Sequence, residues 1–448
     1  MRKGTWLCGL ALLWATSAHA EPLTADQAVR LALQKNSQVI GAEASILDAR
    51  SSLWSAYSGV LPTISGSLTR SNLIVDNQSG GRNVGGVLTQ AITNDFESHG
   101  TTPSVGASWN LLNLSSLSSL SAARKGLKAA RLSRDATRSD VALIARRQFY
   151  AVVTAVRLAQ VADGAVHLAR DDERRVRALF EVGSVSKSDL LKAQVSTAQS
   201  QLDSLTAHQA VVNQRIVLAG LLGLREAEMG EADTLLTAPF QSYDEPTLVA
   251  EAAKRRPDIM AAEAALLAAR SSVTAARMAR LPYVTAGASM EFNPKSRSTS
   301  TLHVQGRPDA VGSAISTTDR QTSASIALNL DLFDGFAMDA RSAAARSRLM
   351  RAQDVRDVLR RNLEGEVHQG LLAYNEAIQR DQVARRALES ATENLKLTQE
   401  KYNVGSATIL ELIDAQVQLQ RAQSDGVSAL AAIRVAEAQI DRVRGRAE

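Results

Sequence analysis

The sequence predicts an α+β protein that is mainly helical and consists of two copies of one unit. Two long stretches without proline, residues 104–238 and 309–448, carry helical periodicity, as expected when proline is excluded from helix interiors. The turn Val-Gly-Ser at residues 182–184 recurs 222 positions later, at residues 404–406. Runs in which apolar and polar residues alternate precede both turns and indicate strands. An internal repeat of this length favours a duplicated unit over unrelated domains.

The N-terminus has the features of a secretory signal peptide over residues 1–20. Arg2 and Lys3 precede an apolar run, and small residues end the segment before Glu21. The single cysteine, Cys8, lies inside the apolar run and lacks the small neighbours of a lipid-attachment site. The mature chain is therefore expected to be exported and to contain no thiol, disulfide or lipid anchor.

Composition narrows the class of protein further. The formal charge of +5 falls by two when the signal peptide is removed, and no basic cluster is interleaved with aromatic residues, so nucleic-acid binding is not expected. After the signal peptide, the sequence indicates no apolar run near the ~20 residues of a membrane-spanning helix. An exported chain of this kind is periplasmic, secreted or an outer-membrane barrel.

The first repeat is expected over residues 21–238 and the second over residues 239–448. Each begins with short helices, after Thr24 in one and near Pro246 in the other, and each helical region ends at a Leu-Pro pair. β-Hairpins are predicted at residues 60–112 and 282–332, with polar, Gly-rich loops at residues 71–102 and 293–321. In the second hairpin, apolar residues occupy every second position: Val284, Ala286, Ala288, Met290, Phe292, Ala324, Ile326, Leu328, Leu330 and Leu332.

The first hairpin shows the same alternation less cleanly, in Ile64, Leu68, Val105, Ala107, Trp109 and Leu111. Runs of about nine to eleven residues match tilted transmembrane strands. Trp109 fits a membrane-interface aromatic and an ordinary strand residue equally well. Because lipid offers no hydrogen bonds, such strands must close into a barrel, and the smallest membrane barrels have about eight strands. Four strands per chain therefore require an assembly, and strand number alone leaves dimer and trimer open.

A helical pattern of about 67 residues follows each hairpin, roughly 100 Å long at 1.5 Å per residue. A shorter helix returns from each, so two antiparallel helical hairpins result, with tips near residues 183 and 405. Gly183 and Gly405 occupy the position where a left-handed C-cap conformation is needed. Ser188 or Ser406 is expected to cap the returning helix.

The chain resembles the TolC-like outer-membrane efflux family across essentially its whole mature length. The resemblance rests on the strand pairs, the twin Val-Gly-Ser tips, the Leu-Pro junctions and an Asp/Glu-Leu-Leu/Ile-x-Ala-Gln pattern after each tip. The resemblance implies a homotrimer with one transmembrane β-barrel of about 12 strands in outer-membrane lipid. A long α-barrel tunnel would continue it through the periplasm of a Gram-negative cell. It implies a channel and not an enzyme, without cofactor or metal. The implied partners are a periplasmic adaptor (membrane fusion) protein and an inner-membrane pump, proton-driven or ABC.

The resemblance also implies roles for residues at the tips. Glu411 and Asp414 match two carboxylates that face the pore and form its constriction. Their i, i+3 spacing places them on one helix face, so three chains would gather about six carboxylates that attract cations. Spacing alone favours the alternative, namely solvated acids near a helix N-terminus.

Asp189 and Tyr402 match residues that bond the two tips together in the closed state, with Ser188 beside Asp189. Ala407 stands where the family has an arginine. Three interpretations are open: Lys187 or Lys192 supplies that charge, the closed state is weaker, or it is held differently. The resemblance further implies that the adaptor docks on the twin turns, formed by Val182, Gly183, Ser184, Val404, Gly405 and Ser406.

Enzymatic motifs are not apparent. The sequence has no phosphate-binding loop, nucleophile elbow or zinc motif. His99 and His303 are expected in loops, and His167, His208 and His368 on helices as surface residues. Paired arginines such as Arg146-Arg147 and Arg255-Arg256 are expected on solvated helix faces or between subunits.

The leading interpretation is a passive exit duct of a tripartite efflux or type I secretion system, spanning the outer membrane into the periplasm. Small-molecule export and protein secretion both remain open. The alternative is a periplasmic coiled-coil adaptor or scaffold, a class that also uses long helical hairpins.

Overall fold

A computed structural model describes residues 23–79, 83–84, 87–88, 92–226, 229–234, 241–293, 297–304, 308–315 and 319–446. The expected signal peptide, with Cys8, lies outside these residues. The elements follow in the order α1 (Ala25–Lys35), α2 (Ser37–Ser58), β1 (Thr63–Ser79), β2 (Asn83–Val84), β3 (Val87–Leu88), β4 (Ile92–Leu112), α3 (Leu114–Glu181), α4 (Lys187–Leu222), α5 (Glu245–Arg255), α6 (Pro257–Met278), β5 (Tyr283–Asn293), β6 (Arg297–Val304), β7 (Ala310–Ile315), β8 (Asp319–Asn329), α7 (Ala337–Asn403) and α8 (Ile409–Val443).

The chain forms two compact units. The helical unit comprises Met1–Ala44, Leu132–Met260 and Asp357–Glu448, and it contains both helical tips. The sheet unit comprises Ser45–Arg131 and Ala261–Arg356, and it contains the strands together with parts of the adjoining helices. Each unit draws on both halves of the chain, as a duplicated sequence requires.

The sheet is antiparallel and joins the two repeats. β1 pairs with β4, from Thr63 opposite Ser108 to Ser79 opposite Ile92. The later part of β4 pairs with β5, which in turn pairs with β8, whereas the earlier part of β4 pairs with β6, and β6 with β7. The predicted four strands are therefore present in the order β1-β4-β5-β8, two from each repeat.

The two faces of this sheet differ as the alternating pattern predicts. One face carries exposed apolar side chains, with Ile64, Ile326 and Leu328 exposed by 78%, 75% and 73%. The opposite face is joined by hydroxyl pairs at 2.7 Å, Thr63 with Ser108, Ser67 with Ser104 and Ser289 with Ser323. Trp109 lies on the apolar face beside Ala286, and its indole Nε1 donates to the Val60 carbonyl at 2.9 Å.

Two expectations for the strands are wrong in detail. Much of the expected loop sequence extends the hairpins, because the backbone pairing continues through polar residues as well as through Leu73, Ile74 and Val75. His99 and His303 consequently lie in β4 and β6 instead of loops. A register shift between Asn110 and Leu112 places Leu112 opposite Val284.

Among the described residues, two helices, Leu114–Glu181 and Pro257–Met278, are long enough and contain an 18-residue window apolar enough to cross a membrane by composition. The sequence expectation concerned continuous apolar runs, whereas these windows are apolar only on average. Alanine interspersed with valine and leucine makes these windows apolar on average, although no continuous apolar run is present.

The helical unit contains the same packing arrangement twice. α1 packs against α3 and the end of α4 around Ala28, Ala32 and Leu218, and α5 packs against α7 and α8 around Leu248, Ala252 and Ile440. In each repeat a left-handed glycine, Gly223 or Gly445, follows the returning helix and contacts the end of the short helix.

Arg256 differs from the expectation of a solvated or intersubunit arginine. It is only 2% exposed, and its guanidinium lies 2.6 Å from the carboxylates of both Asp258 and Glu366. These partners lie within the chain, on α6 and α7, and satisfy the buried charge. The duplicated position in the first repeat, Asn36, is also buried, and its amide donates to the Leu221 carbonyl at 3.1 Å.

Candidate functional site

The two tips have the same backbone geometry, as predicted. Gly183 and Gly405 both have a φ of +77°, the left-handed conformation that ends a helix. Ser184 N donates to Leu179 O at 2.8 Å, and Ser406 N donates to Lys401 O at 2.9 Å. Ser406 therefore closes the outgoing helix and does not cap the returning one.

The returning helices are capped by residues that the sequence expectation missed. Ser186 accepts from Asp189 N at 3.2 Å, and Thr408 accepts from Glu411 N at 3.3 Å. Ser186 and Thr408 are 222 positions apart, so the cap is duplicated with the turn. Ser188 lies inside α4, so the expectation that Ser188 or Ser406 caps the returning helix is wrong.

The motif after each tip provides the apolar contact between the two hairpins. Ala193 and Leu190 from the first copy pack with Leu412 and Ala415 from the second, in one cluster that also contains Val176. Leu412 is fully buried and Ala415 is 1% exposed. The Leu and Ala positions of the repeated motif therefore hold the two tips against each other.

Glu411 and Asp414 are both exposed on α8, but their carboxylates have different surroundings. The Glu411 carboxylate accepts from Thr408 N at 2.8 Å and completes a capping box. Within the described residues, no hydrogen bond or ion pair involves the Asp414 carboxylate. Glu411 thus stabilises the helix N-terminus in addition to any role in the pore, whereas Asp414 remains available.

The expected bond between Asp189 and Tyr402 is not made. The Asp189 carboxylate accepts instead from Ser186 Oγ at 2.8 Å and Lys192 Nζ at 3.3 Å, and the Ser186 bond is the main cause of its lowered pKa. The Tyr402 hydroxyl is buried without a hydrogen-bond partner in the described part of the chain. Burial raises the pKa of Tyr402, and the Asp189 carboxylate adds to the effect.

Ala407, which stands where the resemblance predicts an arginine, packs partly buried against the apolar cluster of the tips. Of the two lysines considered as substitutes, Lys192 forms an ion pair with Asp189. That pair joins two residues of α4, so it does not link the two hairpins.

Asp172 on α3 is a buried tip residue that sequence reasoning missed. It is 4% exposed, accepts from Gln416 Nε2 on α8 and lies 3.1 Å from Arg175. Burial raises its pKa, against the opposing effect of Arg175. Asp172 lies in a run of charged residues typical of a solvated helix face, so only the recurrence of Gln194 and Gln416 hinted at a buried partner.

Asp172→Asn should remove a pH dependence of stability. The folded-state pKa lies above the unfolded value, so the free energy of unfolding falls as pH rises through the folded pKa. The uncharged amide carries no such cost, so as pH rises above about 4, the ordinary aspartate pKa, the melting temperature of the variant should fall less than that of the wild type. The thermal transition of the helical circular-dichroism signal measures this.

Asp171→Asn is the matched control, because Asp171 is exposed and pairs with Arg174. It should keep the wild-type pH profile. A profile for Asp172→Asn that also coincides with the wild type would show that the buried carboxylate does not control the stability of the tips.

Two of the three helical histidines named above, His208 and His368, are paired with acids. His208 lies 3.1 Å from Asp163, and His368 lies 3.1 Å from Glu245. In the part of the chain that the structure describes, no group of three or more His, Cys, Asp or Glu residues is arranged to hold a metal ion.

Comparison with known proteins identifies the family. The family model described as outer membrane efflux protein matches residues 28–224 and 248–446, one match in each repeat. Protein CyaE of Bordetella pertussis is 26% identical over 312 residues, which are 68% of this chain. The match spans 61% of that protein's length.

Solved outer-membrane channels share the fold. The CmeC outer membrane channel of Campylobacter jejuni superposes with a TM-score of 0.76 at 16% identity, over 94% of this chain and 86% of that one. The outer membrane protein VceC of Vibrio cholerae gives a TM-score of 0.73 at 17% identity, over 94% of this chain and 96% of that one.

The family match covers both repeats, and the observed combination of long helices with a four-stranded antiparallel sheet is the TolC-like fold. Such proteins are non-enzymatic outer-membrane channels of tripartite efflux systems, they extend into the periplasm, and they are typically trimeric. The chain belongs to the outer membrane efflux protein family.

Proposed function

We propose that this protein is the passive outer-membrane exit duct of a tripartite export system. The sheet is the main support for this proposal, because one of its faces exposes apolar side chains and the other is lined by hydroxyl groups. Such a sheet fits lipid on one side and a water-filled lumen on the other. The mature chain would begin at Glu21 and comprise the two repeats, residues 21–238 and 239–448.

The proposed assembly is a homotrimer. Within the described residues, β1 pairs only with β4 and β8 only with β5 along the four-stranded order, so both ends of that order are open. Open edges are not tolerated in lipid, and pairing between copies removes them. Three copies would supply about twelve strands for one barrel, in agreement with the trimers typical of the family.

The tips are the proposed periplasmic end of the duct. Val182 and Val404 are 74% and 79% exposed at the outermost turns, beside Gly183, Ser184, Gly405 and Ser406. Apolar side chains at this exposure suit docking of a periplasmic adaptor. The adaptor would connect the duct to a proton-driven or ABC pump in the inner membrane, which supplies the energy and selects either small molecules or proteins.

Glu411 and Asp414 are the proposed constriction of the pore, because both are exposed on one face of α8 next to the tip. Asp189, Ser188 and Tyr402 are the proposed gating contacts. Asp189 influences the buried Tyr402 hydroxyl electrostatically without bonding to it. Latching of the tips by this pair would require the Asp189 carboxylate to move from Ser186 and Lys192 to the Tyr402 hydroxyl.

Fractionation tests the proposal and separates the duct from a periplasmic adaptor or scaffold. The protein should be recovered in the outer membrane as a trimer that survives mild detergent and dissociates to monomer on heating. A chain recovered in the soluble periplasmic fraction would contradict the duct and support the scaffold. Whether the neighbouring reading frames encode a proton-driven or an ATP-driven exporter then indicates the class of substrate.

A further inference from the structure

The second hairpin of the sheet continues beyond the length that a membrane requires. β5 and β8 have 11 residues each, and β6 and β7 follow between them in the chain. β6 pairs with residues 92–99 of β4, which belong to the first hairpin, and β7 pairs with β6. We call β6, β7 and residues 92–99 the outer extension. The proposed function places this end of the hairpins, opposite the ends that join the helices, at the cell exterior.

The outer extension has no core. None of the side chains that the structure describes in it is buried. Its stability therefore depends on backbone pairing and on contacts between side chains of neighbouring strands. A side chain that joins several strands at once consequently has a large share in holding the second hairpin to the first.

His303 on β6 is such a side chain. Its Nε2 atom lies 3.3 Å from the Asp95 carboxylate on β4, and its Nδ1 atom lies 2.6 Å from the Asp309 carboxylate just before β7. The contact with Asp95 crosses the boundary between the two repeats. The contact with Asp309 closes the hairpin of β6 and β7. One imidazole therefore connects three segments of the outer extension.

This arrangement fits a protonated ring. Neutral imidazole has one N–H donor and one acceptor nitrogen, whereas imidazolium donates from both nitrogens. A neutral ring between Asp95 and Asp309 would set a lone pair against one of the two carboxylates. The bond to Asp309 is the main cause that raises the pKa of His303 above its ordinary value of 6.5, and Asp95 adds to the effect.

Other ionisable residues occupy the outer extension and the part of β1 that pairs with it: Asp76, Glu97, His99 and Arg297. Asp76 is placed opposite Asp95 in the register, so it adds an acid on the side of β4 away from β6. Glu97 lies 2.9 Å from His99 on its own strand, so that pair does not join the two hairpins. Arg297 is at the opposite end of β6 from His303. His303 is therefore the ionisable group placed to join the hairpins.

We propose that His303 is a pH-sensitive clasp that holds the β6–β7 hairpin to β4. As imidazolium it binds Asp95 and Asp309 together, and on losing its proton to solvent it releases one of them. The stabilisation is complete below the ordinary histidine pKa and is lost as pH rises through the higher folded-state pKa. Below about pH 4, protonation of the two aspartates opens the clasp from the other side. The outer extension is thus held most firmly in a mildly acidic medium.

A spin label on Val311→Cys tests the clasp, since Val311 on β7 is 65% exposed and the expected mature chain contains no cysteine. In the purified full-length protein, the mobile fraction of the label should rise about two- to fivefold between about pH 5.5 and about pH 8.5. With His303→Gln the label should be equally mobile at both pH values. With His303→Lys, which is charged at both, it should stay immobile at both.

His99→Gln is the matched control. His99 also pairs with an acid in the outer extension, but that acid lies on its own strand, so the pH dependence should persist. A wild-type label whose mobility does not change with pH would overturn the clasp. A His303→Gln or His303→Lys variant that retains the wild-type change would overturn it as well.

Labelling of intact cells separates the clasp from the proposed function. A membrane-impermeant maleimide should react with Val311→Cys from outside the cell. Absence of this reaction, with the pH-dependent mobility retained in the purified protein, would contradict the proposed orientation of the duct and leave the clasp standing. Reaction without any pH-dependent mobility would support the orientation and overturn the clasp.

Discussion

Gly445→Ala should destabilise the protein by about 2–5 kcal/mol, enough to lower the yield of folded channel sharply. Gly445 has a φ of +75°, which costs a side-chain-bearing residue about 1–2 kcal/mol. A Cβ at this position would also lie 2.6 Å from the carbonyl oxygen of Arg255. That oxygen belongs to backbone, so relief requires a shift of α5, and overpacking of this kind costs about 1–3 kcal/mol.

Gly405→Ala separates the two contributions. Its φ of +77° is nearly the same, but nothing lies within 4 Å of the added Cβ. This variant should lose only about 1–2 kcal/mol. Denaturant unfolding followed by helical circular dichroism compares the two. Equal losses for Gly445→Ala and Gly405→Ala would show that the contact with α5 contributes nothing to stability.

The architecture was predictable because three kinds of sequence signal occur in both repeats. Proline placement separated helix from strand, alternation gave the two faces of the sheet, and the turns at Gly183 and Gly405 gave the tips. These signals are local in the chain. They can be interpreted without knowledge of tertiary contacts, because they follow from backbone geometry.

Features that depend on tertiary contacts were harder to predict. Polar strand extensions looked like loops, because sequence polarity does not show whether the backbone is paired. Ser186 and Ser188 are equally good capping residues, and only the end of the turn selects Ser186. Asp172 is buried by a helix more than 200 residues away in sequence, so no local pattern distinguishes it from its exposed neighbour Asp171.

Only part of the candidate site could be predicted from the sequence, for the same reason. The family pattern assigned Glu411 and Asp414, but capping by Glu411 appears only with Thr408 in place. The expected bond between Asp189 and Tyr402 fails because Ser186 and Lys192 occupy the carboxylate.

Ion selectivity should depend on Glu411 and Asp414 if they form the constriction. Asp414→Asn should reduce cation preference without affecting folding, since its carboxylate has no partner in the described residues. Glu411→Gln should also keep the fold, because glutamine at this position can complete a capping box. Three chains lose about six carboxylates in the double variant, so it should lose most of its cation preference.

The most direct test of a duct constricted at Glu411 and Asp414 is the reversal potential of the purified protein in planar bilayers under a salt gradient. The wild type should conduct as a stable, cation-preferring pore, and Glu411→Gln with Asp414→Asn should conduct with little ion preference. A trimer in the outer membrane that does not conduct, or a double variant with unchanged selectivity, would contradict a duct constricted at these carboxylates.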